Sequence, residues 1–154
     1  MKRAIIAACV CLGLLALVAP LAAQSGEIAL TRQVIQTERQ ALVTAAMELT
    51  EEEGKAFWPL YREYREAMAK VGDRIQNLVI DYAAKYATLT DVDAQVMLDE
   101  MVAIDAEALK VRKDYVKKFG QILPAKRVAR FFQLENKMDA VIKADLAEKI
   151  PLAK

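Results

Sequence analysis

The sequence predicts an all-α protein, an elongated four-helix arrangement built on a long antiparallel helical hairpin. Three observations predict it. In two long segments apolar and aromatic residues recur at steps that alternate between four and three. After Gly26 only Gly54, Gly72 and Gly120 remain, too few for sheets joined by tight turns. Beyond residue 23 there is no Cys and no His, and the only Ser is Ser25. The rest is long, heptad-patterned helix.

The first helix is expected over about residues 27–46, with a weak stripe of Ile28, Val34, Ile35, Leu42 and Val43. The second, over about 51–86, opens on a capping box formed by Thr50 and Glu53. Its seam is Phe57, Tyr61, Tyr64, Met68, Val71, Ile75, Leu78 and Tyr82. Pro59 lacks a donor and crowds the carbonyl four residues back, which predicts a kink near Lys55 to Pro59. Tyr86 to Asp91 reads as the turn, with Thr90 and Asp91 as N-cap residues for a third helix over about 91–119. Its seam is Met97, Met101, Ile104, Ala108, Val111 and Tyr115. A repeat of 3.5 residues keeps one stripe facing a partner helix. Two such seams are too long to leave wet, so the helices should fold back on each other. Pro124 suits the first position of a fourth helix over about 124–150, which Pro151 stops.

Residues 1–23 have the layout of a secretory signal peptide. Met1-Lys2-Arg3 is basic, Ala4 to Ala19 is apolar and uncharged, and Pro20-Leu21-Ala22-Ala23 ends the run with small residues. The run is short for a bilayer span, which needs about 20 residues. Ile6-Ala7-Ala8-Cys9 mimics a lipoprotein cleavage box but sits inside the apolar run, so Cys9 and Cys11 are read as filler lost with the signal. The expected address is the bacterial periplasm, with cleavage near Ala23, no stable membrane insertion afterwards, and one helical domain over 24–154.

Composition excludes several function classes. Nucleophilic triads need Ser or Cys beside a base that is usually His. Zinc and copper sites draw on His or Cys. Past residue 23, 20 basic residues face 21 acidic ones, which gives no cationic surplus for nucleic acid and no polybasic membrane patch. Neither a catalytic residue nor a metal or cofactor is expected.

There is a weak internal echo. Leu49-Thr50 precedes Phe57-Trp58, and Leu123-Pro124 precedes Phe131-Phe132, at the same offsets. Met47-Glu48-Leu49-Thr50-x-x-Glu53, Phe57-Trp58-Pro59-x-Tyr61-x-x-Tyr64, Leu123-Pro124-Ala125-Lys126-Arg127, Arg130 to Glu135 and Ile150-Pro151-Leu152 resemble a set of exported bacterial helical proteins. More distantly, the two helix starts resemble the paired Leu-Thr-x-x-Gln motifs of the Spy/CpxP family. That resemblance implies a periplasmic stress protein: an ATP-independent chaperone, an accessory inhibitor of a sensor kinase or a metal-resistance sensor. The chain departs from the pattern at three places. Glu53 stands where the first Gln would be, Arg127 where the second would be, and Pro124 replaces Thr. The metal-sensing branch leans on His, which this chain lacks.

The expected protein-binding surface comprises Trp58, Leu60, Ile80, Leu109, Arg130 and Glu135. Leu60, Val79, Ile80, Val102 and Leu109 lie off the heptad seams. The first and fourth helices should cover some of them, and the rest should form an apolar strip edged by charge. Trp58, also off the seam, either packs on a flanking helix or is exposed. Arg130 and Glu135 could instead pair within the domain. Tyr61, Tyr64, Met68, Met97 and Met101 lie on the seams and are expected to fill the core. Glu51, Glu52 and Glu53 complement a helix N-terminus, while Asp99, Glu100, Asp105 and Glu107 read as a solvated face. The function expected is non-enzymatic binding of unfolded or partner proteins, as a chaperone or envelope-stress protein and as a homodimer. The alternative is a dedicated regulatory or structural partner of one envelope sensor or secretion protein.

Overall fold

The structure, a computed structural model, describes residues 37–153. The signal-peptide assignment over 1–23 and the first part of the first helix lie outside the described residues. The chain divides into two compact units, Met1–Gln40 and Ala41–Lys154, and the packing below belongs to the second. Among the described residues there are four helices and no strand: α1 over residues 37–47, α2 (Glu51–Lys85), α3 (Asp91–Gly120) and α4 (Ala125–Lys149). No described helix is long and apolar enough to cross a membrane.

Local chemistry sets each boundary. Glu48 ends α1 in the left-handed region, at φ 46°. That conformation usually falls to Gly at this position after a helix. Thr50 and Glu53 then form the capping box: each backbone N–H donates to the other's side chain, at 2.9 Å from Thr50 N and 3.2 Å from Glu53 N. α2 runs unbroken through Pro59, which lies on the exposed face, where water can serve the carbonyl its ring leaves without a donor. Its 35 residues span roughly 50 Å at 1.5 Å per residue. Thr90 caps α3 by accepting from Asp93 N at 3.1 Å. Pro124 is not the first helical residue but the N-cap of α4, and its carbonyl accepts from Arg127 and Val128.

α2 and α3 pack antiparallel, and the pairs across them fix the register. Phe57 meets Phe119 at 5.3 Å between ring centroids and Tyr64 meets Tyr115 at the same distance. Arg74 meets Glu100, and at the turn Lys85 meets Asp93. α4 returns alongside, parallel to α2. Phe131 lies against Phe57, Arg65 pairs with Glu135, and the Tyr82 hydroxyl donates to the Pro151 carbonyl at 2.9 Å.

The core gathers at one end of this arrangement. Val43 and Met47 from α1, Phe57, Tyr61 and Tyr64 from α2, Phe119 and Leu123, and Val128 and Phe131 from α4 form one buried cluster. The two halves of the sequence echo meet there: the Phe57 and Phe131 rings stand edge to face at 5.3 Å, and neither is exposed. Edge-to-face rings add about 0.5–1.5 kcal/mol per pair beyond the area they bury. Arg127 ties three helix ends together. It donates to the carbonyls of Met47 and Glu48, both at 3.1 Å, and pairs with Glu53 at 3.0 Å. Arg130 adds a 2.7 Å bond to the Ala46 carbonyl. The last carbonyls of α1, which have no partner within the helix, are thus met by two cations at the negative end of its dipole.

Two polar groups enter this core. Glu135 is 1% exposed and pairs with Arg65 at 2.9 Å. The Tyr64 hydroxyl has no protein hydrogen-bond partner among the described residues. Burial, with the Glu135 charge nearby, pushes its phenol up to about 12.

Two predictions follow from these groups. Arg65→Met should cost about 3 kcal/mol in urea unfolding, because it takes a paired cation from a buried carboxylate, and Arg65→Met/Glu135→Met should recover most of that loss. The Tyr64 phenol stays protonated in the folded protein above the pH at which an unfolded tyrosine ionises. The stability this represents, about 2–3 kcal/mol, is fully present below pH 10 and is lost as pH climbs from 10 to 12. Tyr64→Phe should abolish that part of the alkaline loss, followed by circular dichroism, and should leave neutral-pH stability unchanged or up to about 1 kcal/mol higher.

Candidate functional site

Burial along the hairpin falls from the aromatic end to the turn. On α2, Phe57, Tyr61, Tyr64 and Val71 are buried, while Ile75, Leu78 and Tyr82 are half-buried. On α3, Phe119 and Ile104 are buried, Met97 is half-buried and Met101 is 46% exposed. The reason lies in the number of neighbours. Near Phe57 the seam is covered by α1, α4 and the link between α3 and α4. Towards the turn α1 no longer contributes, and of the segment that returns with α4 only Ile150 lines the seam's open part. Two helices touch along a line and leave a furrow on either side of it.

The furrow is an apolar groove of about 440 Å³. Ile75, Leu78 and Tyr82 form one wall, and Met97, Met101 and Ile104 the other. Val79, Leu98, Asp105 and Ile150 complete its edge. The bond from Tyr82 to Pro151 fastens the segment that carries Ile150 against α2. Leu98 and Met101 carry the apolar wall out to solvent, whereas the other exposed apolar residues nearby in the sequence, Ile80, Val92, Val96 and Val102, line no part of the groove.

Polar contacts hold the groove's frame. Arg74 grips Glu100 through Nε and Nη2, each at 2.9 Å, and also bonds Glu107. This clamp raises the Arg74 pKa and lowers that of Glu100. At the turn, hydrogen bonds from Lys85 Nζ and the Thr90 hydroxyl, both at 2.6 Å, hold the Asp93 carboxyl down to about 2. Among the described residues no group of three or more His, Cys, Asp or Glu is placed to hold a metal ion.

The structure separates the residues expected to form one binding surface. Ile80 and Leu109 are exposed, at 51% and 53%, but neither lines the groove. Leu60 is half-buried against the aromatic cluster and is not surface strip. Trp58 is half-buried too, its ring edge-on to Phe57 at 5.1 Å and to Tyr61 at 5.5 Å. It borders a second, more polar depression with Gly54, Lys55 and Arg62. Arg130 is spent on the end of α1, and Glu135 is buried. Burial takes Glu135 out of a partner's reach, while Arg130 stays exposed with its Nε on the Ala46 carbonyl.

Met97 and Met101 require the opposite correction. They were expected to fill the core and instead form a groove wall. Phe119, a central core ring, extends the α3 seam by four residues past Tyr115. The alternation of fours and threes falls next on Lys118, one residue short of Phe119, because the step from Tyr115 is a second four.

Comparison with protein-family models, with curated proteins and with solved structures finds no match to this chain.

The open groove makes a stability prediction. In a closed seam an aspartate at Leu78 would cost several kcal/mol. Leu78 lines an open wall, so Leu78→Asp should cost only about 1–2 kcal/mol in chemical denaturation, while Val71→Asp, at a position 2% exposed, should cost about 4 kcal/mol or prevent folding.

Proposed function

We propose that the protein is a non-enzymatic binding protein of the periplasm, an ATP-independent chaperone or envelope-stress protein of the Spy/CpxP kind. The observation that carries this reading is the apolar groove near the hairpin turn. Apolar surface of this extent, rimmed by polar groups, is the usual mark of a site for other polypeptides. Its two methionines adapt to side chains of different shape, which suits a surface that takes more than one sequence. The absence of His and Cys beyond residue 23, and of any Ser but Ser25, argues against the commoner catalytic chemistries. The export signal read over residues 1–23 and the two helix-start motifs support the compartment.

The purified protein should suppress aggregation of an unrelated denatured protein at substoichiometric amounts, measured by light scattering. Leu98→Gln/Met101→Gln removes apolar wall from two exposed positions and should weaken suppression at least about threefold, with the circular dichroism spectrum unchanged. Val141→Gln, on an exposed α4 position away from the groove, should suppress as the parent does. A parent protein that fails to suppress aggregation at any ratio would overturn the reading.

A further inference from the structure

The chain is nearly neutral as a whole, but its charge is segregated along the hairpin. The complete sequence carries 22 basic and 21 acidic residues. Residues 73–107, which hold the groove, carry eight carboxylates against two cations, Arg74 and Lys85. The remaining stretches of the hairpin and of α4 carry fifteen cations against ten carboxylates. Both cations near the groove are already engaged, Arg74 by Glu100 and Glu107 and Lys85 by Asp93. Asp105 lies on the groove's edge and is in no ion pair among the described residues. The apolar groove therefore sits in a field of uncompensated negative charge.

We propose that the groove takes a polypeptide segment that is apolar on one face and flanked by lysine or arginine, docked as an amphipathic helix. This rests on the binding role proposed above and specifies its ligand. The apolar face supplies contact with Leu78, Met97 and Met101, as in other helix-in-groove complexes. The flanking cations meet Asp105 at the groove's edge and the net negative charge of the hairpin around it. The same field disfavours a second copy seated groove to groove, because it would bring two acidic surfaces together. Complementary charge of this kind sets which partner is accepted and how fast it arrives.

Two synthetic peptides of about 14 residues, with the same leucines and either lysine or glutamate at every polar position, test this by fluorescence anisotropy with the purified protein. The lysine peptide should bind at least about tenfold more tightly at low salt, and the margin should shrink at about 0.5 M salt. Leu98→Gln/Met101→Gln should abolish binding of the lysine peptide. Asp105→Asn should narrow the margin between the peptides while keeping the circular dichroism spectrum. Equal affinity for both peptides, lost in the Leu98→Gln/Met101→Gln protein, would overturn the charge preference and leave the chaperone reading standing. A lysine preference that survives Leu98→Gln/Met101→Gln would mean diffuse attraction to acidic surface, and would also overturn the proposal. Failure of both peptides to bind overturns it too, and only a simultaneous failure to suppress aggregation would take the broader function with it.

Discussion

A helix can bury its apolar stripe only against as many neighbours as the chain supplies, and this protein supplies them unevenly. α2 is 35 residues long and α4 is 25, and α1 packs where α2 begins. The aromatic cluster around Phe57, Phe119 and Phe131 is the place where every described helix contributes a side chain. Past Val71 the helices have fewer neighbours, and the same heptad pattern that makes a core at one end makes a groove at the other. Position along the hairpin, more than residue type, decides whether a leucine or methionine is structural or available.

The cluster stays together because its edges are tied by charge. Glu53 and Arg127, two of the three positions at which the chain departs from the Leu-Thr-x-x-Gln pattern, pair with each other. Glu53 completes the cap of α2 and Arg127 closes the end of α1, so one ion pair serves three helix termini at once. A pair of glutamines at these sites could not bring opposite charges to two helix dipoles. The partly exposed pair is worth little as a surface ion pair. Its value lies in the backbone groups it satisfies on both sides.

Periodicity made the helices and the hairpin legible in the sequence. Steps of four and three identify which residues face inward, and Thr50, Thr90 and Pro124 mark where helices start. The same signal could not tell a closed seam from an open one, because a heptad stripe looks alike whether two helices or four share it. Met101 and Leu78 were therefore assigned to a core that does not extend so far. The burial of Glu135 and the bond that Arg130 makes escaped notice for a related reason. A charged residue reads as surface until its partner is known, and Arg65 and the Ala46 carbonyl lie 70 and 84 positions away in the chain. The acidic bias of residues 73–107 was present in the sequence all along, but the near-neutral total concealed it.

The clasp of Lys85 on Asp93 bears on how the chain assembles. These residues are eight positions apart, whereas Arg127 and Met47 are eighty. Short loops lose little entropy on closing, and contacts between near neighbours form fastest. The turn can therefore form early, with each helix guiding the other into register from that point. The aromatic cluster must wait for α4 to arrive. The end of the hairpin that can zip first is the end that buries least, so early pairing there is cheap to undo, and a misaligned register can be released before the rings lock it.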